Sequence, residues 1–164
     1  MIATGRPRQI AGIGDLVTPE RVYAQLRVSS KRQALQELAK RAAAPTGLSE
    51  RAIFEVLSER ERLGSTGIGM GTAIPHGKLA GLDTLYGIFA RLERPIPFDA
   101  IDDQPVDLIF LLLAPENAGA DHLKALALVS RLLRDRPVCR KLRGTDRADA
   151  LYALLTDRGA GEAG

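Results

Sequence analysis

Leu108-Ile109-Phe110-Leu111-Leu112-Leu113-Ala114 is an unbroken apolar run set between Pro105 and Pro115. A strand with one wet face alternates apolar and polar residues, so a run without alternation predicts a central strand buried on both faces. Outward from it, Leu85 to Glu93 reads as a second strand. Pro115 to Gly119 reads as a loop, and Ala120 to Arg134 as a strongly amphipathic helix. A doubly buried strand needs cover on each side, and the remaining elements supply it. Val22, Ala24 and Leu26 alternate with Tyr23, Gln25 and Arg27, which predicts a first strand. Ser30 can cap a helix through Ala44, with Pro45-Thr46-Gly47 as its stop, and Ser49 can cap a second that ends near Gly64. In that second helix Ile53, Val56 and Leu57 form the expected buried stripe. Two short helices follow at the C-terminal side, around Val138 to Arg143 and from a cap at Asp146 to Thr156. Helices and strands interleave throughout. The fold class is therefore α/β, a single mixed β-sheet flanked by helices on both faces, an α/β/α sandwich.

The chain has 164 residues, enough for one domain with a core that needs no metal or disulfide. We expect a flexible N-terminal segment over 1–14, a domain over 15–157 and a flexible tail over 158–164. Hydrophobic residues are 45% and charged residues 26%, the balance of a soluble globular protein. No apolar run approaches the roughly 20 residues of a membrane span, and no signal peptide opens the chain, so we expect no direct membrane insertion and a cytoplasmic location. The single cysteine, Cys139, excludes an internal disulfide and a cysteine metal cluster, and packing explains it better than nucleophilic catalysis. Net charge is +3, with Arg131, Arg134, Arg136, Arg140, Lys141, Arg143 and Arg147 crowded in one region. A solvated helix face accounts for them. Aromatic content of 4% offers few stacking platforms, so no nucleic acid partner is expected.

Both histidines fall at junctions between predicted elements. His76 lies between Pro75 and Gly77, and the dihedral limits these impose would hold its imidazole exposed at a chain reversal. A neutral imidazole is a competent nucleophile near neutral pH; the alternative is a turn histidine with no role. His122 sits in the first turn of its helix just beyond the central strand, where α/β folds place ligands and where free N–H groups attract anions. Helical spacing also puts it with Leu126, Val129 and Leu133, so a core histidine is the competing reading. Arg60 continues the stripe of Ile53, Val56 and Leu57 where an apolar residue belongs. It either stabilises the helix C-terminus or clamps phosphate oxygens. In the glycine-rich stretch before His76, Ser65, Thr66 and Gly67 could present hydroxyls and N–H groups to an anion, although hairpin glycines explain the stretch nearly as well. Neither a Walker A loop nor a Gly-x-Gly-x-x-Gly order is present. Two histidines with scattered carboxylates give no metal spacing, and Asp99, Asp102, Asp103 and Asp107 do not follow an EF-hand. No metal or other cofactor is expected.

Taken together, Gly64-Ser65-Thr66-Gly67-Ile68-Gly69 followed by Ala73-Ile74-Pro75-His76-Gly77-Lys78 closely resembles the IIA component of the phosphoenolpyruvate-dependent phosphotransferase system. The segment Pro95 to Asp107 and the pair His122-Leu123 are similar to its nitrogen-regulatory branch within the fructose/mannitol type. The resemblance spans roughly Asp15 to Asp157. It implies that His76 is the phosphoryl acceptor, as a tele-phosphohistidine, with His122 supporting the phosphoryl group and Arg60 stabilising charge. It implies a phosphocarrier protein as donor and regulatory targets such as potassium-transport or sensor-kinase components. On this reading the chain is a phosphotransferase component with regulatory output, a phosphoryl carrier whose status as an enzyme stays open. Two alternatives also stay open: a sugar-specific IIA component serving a fructose/mannitol-type transporter, and a non-catalytic anion-binding module.

Overall fold

The computed structural model describes residues 10–157. Of the expected loose ends, residues 1–9 and 158–164 lie outside the described residues. Residues 10–14 do not hang free. Ile10 and Ile13 are buried against the core, and Ile13–Asp15 forms a 3₁₀ turn whose Asp15 carboxylate accepts the N–H groups of Ala11 and Gly12. Two large apolar side chains so placed give this piece a reason to pack, so the packed part of the chain begins before Asp15.

The chain runs β1 (Val22–Leu26), α1 (Lys31–Thr46), α2 (Glu50–Arg62), β2 (Gly67–Gly69), β3 (Thr72–Ala73) and β4 (His76–Leu79). It continues through β5 (Tyr86–Ile96), β6 (Val106–Pro115), α3 (Ala120–Leu133), α4 (Arg136–Arg143) and α5 (Ala148–Thr156). The strands form one mixed sheet in the order β1-β5-β6-β3-β2, with β4 also paired to β6. Strand β6 is its spine. It runs antiparallel to β5 on one side, and parallel on the other to β3 and then β4. Every residue from Leu108 to Ala114 is buried, as the unbroken apolar run requires. Alternation sorts them: Ile109, Leu111 and Leu113 enter a core under α1 and α2, while Leu108, Phe110 and Leu112 enter one under α3, α4 and α5. Both faces of the sheet are thus covered by helices.

The predicted caps hold for two helices. Ser30 Oγ accepts Gln33 N–H at 3.1 Å and Ser49 Oγ accepts Ala52 N–H at 2.9 Å, each worth about 1 kcal/mol. Pro45 does not end α1. It lies in the last turn, where little ladder remains to lose, and the Thr46 hydroxyl donates to Ala42 O at 2.7 Å; Gly47, left-handed at φ 74°, makes the stop. Asp146 is not the cap of α5. Arg147 occupies that position without a side-chain capping bond, its guanidinium pairing with Asp149, and Asp146 instead accepts from Gln25 Nε2.

Candidate functional site

His76 is the first residue of β4, not part of a reversal. The reversal comes earlier, in the β2–β3 hairpin, where Met70 and Gly71 take φ of 58° and 77°. Ile74 and Pro75 only interrupt the strand that accompanies β6, because proline has no N–H to give the ladder; Pro75 O still accepts Leu112 N–H at 2.9 Å. The register His76↔Leu112 and Gly77↔Leu113 then decides which way each residue faces. His76 shares the α3 side with Leu112, and Gly77 shares the α2 side with Leu113.

Gly77 has a different use from the turn expected of it, because its φ is not positive. A Cβ there would stand 2.3 Å from Val56 Cγ1, so the missing side chain is what lets α2 close against β4. That approach carries the last turn of α2, and Arg60, to the sheet's open edge beyond β4. Arg60 reaches around the edge from one side, while His122 comes from the other at the start of α3.

The three side chains meet. Arg60 Nε donates to His76 Nε2 at 3.3 Å, and a terminal Arg60 nitrogen donates to Gly64 O at 2.9 Å. One side chain thus holds a carbonyl just beyond the end of α2 and touches His76, which leaves both readings of this arginine, helix-end cation and phosphate clamp, open. The His76 and His122 rings stand 5.7 Å apart, centroid to centroid, tilted by 51°. His76 Nδ1 lies 2.8 Å from Ile74 O, which can only accept. Nδ1 therefore carries the hydrogen, and Nε2 presents its lone pair to the cleft. The cleft measures about 380 Å³ and is lined by Val56, Glu59, Arg60, Leu63, His76, Gly77, Lys78 and His122. Burial lowers the pKa of His76 below the ordinary 6.5, and Arg60 pushes the same way against the Ile74 carbonyl. Burial also lowers His122, reinforced by His76 and Lys78. Both shifts favour the neutral ring. His122 is only 7% exposed, and its Nδ1 is a buried polar atom without a hydrogen-bond partner among the described residues.

Ser65, Thr66 and Gly67 do not line this cleft. Ser65 Oγ donates to Phe98 O at 2.7 Å and accepts Gly67 N–H at 3.0 Å. The N–H and hydroxyl of buried Thr66 both go to the Glu61 carboxylate. Donors already engaged in holding a turn are not offered to an anion, so these three residues serve the fold.

Of the residues lining the cleft, sequence reasoning missed Lys78, Leu63 and Glu59. Lys78 had a signal, since it follows His76 by two residues and a strand returns to the same face at that spacing. Leu63, at 84% exposed, leaves a large apolar side chain at the cleft.

A family model described as phosphoenolpyruvate-dependent sugar phosphotransferase system, EIIA 2, matches residues 15–158. The nitrogen regulatory protein of Bradyrhizobium diazoefficiens is 61% identical over 143 residues, which cover 87% of this chain and 94% of that protein. That of Escherichia coli is 47% identical over 142 residues, covering 85% and 84% respectively. Among solved structures, nitrogen regulatory protein IIA-Ntr from Neisseria meningitidis superposes with a TM-score of 0.84 at 38% identity, over 88% of this chain and 99% of that one.

Proposed function

From the premise that this chain belongs to the EIIA 2 family of the phosphotransferase system, in the branch of its nitrogen regulatory relatives, we propose that it carries a phosphoryl group on His76 Nε2. The observation that supports this most is the tautomer: Ile74 O holds the Nδ1 hydrogen, and Nε2 faces the cleft with its lone pair. The donor is a phosphocarrier protein bearing phosphohistidine. The His76 Nε2 lone pair attacks phosphorus, the donor's N–P bond breaks, and its electron pair returns to the donor imidazole. The charge arising on the His76 ring is shared with Nδ1–H, which strengthens its bond to the Ile74 carbonyl.

Arg60 has a resting and a working position in this scheme. Its Nε–H lies on the lone pair that must attack, so it leaves Nε2 as the phosphoryl group arrives. The Gly64 anchor keeps the guanidinium within reach of the transferred oxygens. His122 supplies the opposite wall, and Lys78 adds positive charge to the rim. Phosphoryl transfer asks mainly for in-line positioning and charge stabilisation, and a phosphate that arrives already activated needs no nucleotide site.

The output is regulatory, acting on potassium-transport or sensor-kinase components in the cytoplasm. No helix among the described residues is long and apolar enough to cross a membrane. The test is to mix the chain with labelled, phosphorylated phosphocarrier protein and map the acid-labile, alkali-stable label. Label on His76 supports the carrier. Absence of label, with an anion still bound, favours the binding module.

A further inference from the structure

Glu61 stands next to Arg60 in sequence yet points away from the cleft, and its side chain is 6% exposed. Its carboxylate accepts Thr66 N–H at 3.0 Å and the Thr66 hydroxyl, and Lys31 Nζ sits 2.9 Å from it. Its backbone carbonyl accepts Gly64 N–H at 3.1 Å. One residue therefore closes the whole reversal from the end of α2 to the start of β2, including Gly64, whose φ of 144° suits glycine alone.

Two carbonyls of that reversal lead to the site. Gly64 O receives the Arg60 guanidinium at 2.9 Å. Thr66 O receives Ile74 N–H at 3.0 Å, and the carbonyl of the same Ile74 receives His76 Nδ1–H at 2.8 Å. From these connections, and resting on the carrier reading above, we infer that Glu61 is a positioning residue: by clamping Thr66 it sets both the guanidinium of Arg60 and the tautomer and aim of His76. Lys31 completes the arrangement. It balances the carboxylate on the side remote from the cleft, so a buried anion can brace the site without confronting the incoming phosphoryl group.

Glu61→Gln tests this, because it keeps the shape but replaces the charge-assisted bonds to Thr66 with weaker neutral ones, the hydroxyl bond reversed with Thr66 Oγ1 accepting, and takes the anion from Lys31. With phosphorylated phosphocarrier protein as donor, kcat should fall about tenfold at unchanged KM, the pattern of an interaction realised in the transition state. Thr66→Val should act through the same bond. The double variant should then be no worse than Glu61→Gln alone within about twofold, and Thr66→Ser should restore the rate. Two-dimensional ¹⁵N spectra give a readout independent of transfer. His76 Nδ1–H and Arg60 Nε–H should both exchange faster with solvent in Glu61→Gln. Losses that multiply in the double variant, unchanged resonances, or an unchanged kcat would each overturn the inference. Should Glu61→Gln fail to fold, the Thr66→Val and Thr66→Ser pair carries the same rates and spectra. A wild-type chain that takes no label while the resonances respond as described would defeat the carrier reading and leave the positioning role standing.

Discussion

Arg60 Nε donates to His76 Nε2 across 3.3 Å, so the arginine occupies the one lone pair on this imidazole that is free to react. A guanidinium has five N–H donors and no acceptor. Its contacts to His76 and Gly64 use two of them, and the others make no hydrogen bond among the described residues. Replacing Arg60 with Ala should therefore slow phosphoryl uptake by about 10²–10³, the usual cost of a lost charge-stabilising donor. Lys at this position keeps the charge but not the fork, and should recover only part of the rate. Thermal melts on the same samples should move little. A large drop in stability with normal transfer would return Arg60 to a helix-capping role.

His76→Ala should abolish stable labelling outright while the protein stays folded. The side chain begins an edge strand and is half-buried, so its removal leaves no large core cavity. Label persisting on another residue would show that the acceptor lies elsewhere.

The layers of the fold were legible because β6 is buried on both faces and says so in Leu108 to Ala114, while Ser30 and Ser49 mark their helices by local chemistry. The three side chains that meet at the candidate site stood out for a different reason. Each breaks a local pattern: Arg60 in an apolar stripe, His122 on a buried helical face, and His76 between Pro75 and Gly77. What could not be read was anything set by register. The strand β4 exists because Leu112 to Pro115 accept it as a parallel partner, and no local feature of His76 to Leu79 announces that. Ser65, Thr66 and Gly67 misled for the same reason. Their donors look available in sequence, and only the return of Glu61 and Phe98 in space shows them engaged.

Gly77→Ala tests the close approach of α2 to β4. The added methyl would meet Val56 Cγ1 at 2.3 Å, so the Val56 side chain or the helix that carries it must shift, at a cost of about 1–3 kcal/mol. Because Arg60 rides on the same helix, transfer should fall by more than the stability loss explains. Val56→Ala in the same chain makes room, and should restore both the melting temperature and the rate. Failure to rescue would mean that Gly77 is needed for its backbone and not for its missing side chain.

Both imidazoles have pKa values lowered by burial, and this fixes the direction of a stability effect. Below the ordinary value of 6.5 the unfolded chain takes up protons that the folded chain refuses, so stability falls as pH falls through that value toward the lower folded values. Above 6.5 both states hold neutral rings and the dependence vanishes. Chemical denaturation should therefore show an acid-side loss that begins near the ordinary histidine value. The loss should flatten in a His76→Gln/His122→Gln variant. An unchanged slope in that variant would assign the acid sensitivity to carboxylates.

His122 offers the sharpest test of how the two sides of the sheet edge cooperate. Its ring lies 5.7 Å from that of His76, too far for a direct bond between ring centres yet close enough for a phosphoryl oxygen on His76 Nε2 to bridge. Burial favours the neutral ring, in which one nitrogen is a donor and the other an acceptor. Its Nδ1 is a buried nitrogen without a hydrogen-bond partner among the described residues. Burying an unpartnered polar atom costs about 1–3 kcal/mol, so the ring contributes less to stability than its burial suggests. His122→Ala removes that cost along with some packing, and the melting temperature should change little. Transfer should suffer more, because the wall facing Arg60 loses its donor. His122→Gln keeps a donor in altered geometry and should retain more activity than His122→Ala, with slow labelling of His76 surviving in both. The comparison separates the two roles. If Gln and Ala behave alike in transfer while Ala is strongly destabilised, His122 is a core residue that happens to stand beside the acceptor. If Gln outperforms Ala at equal stability, the start of α3 is a working part of the site.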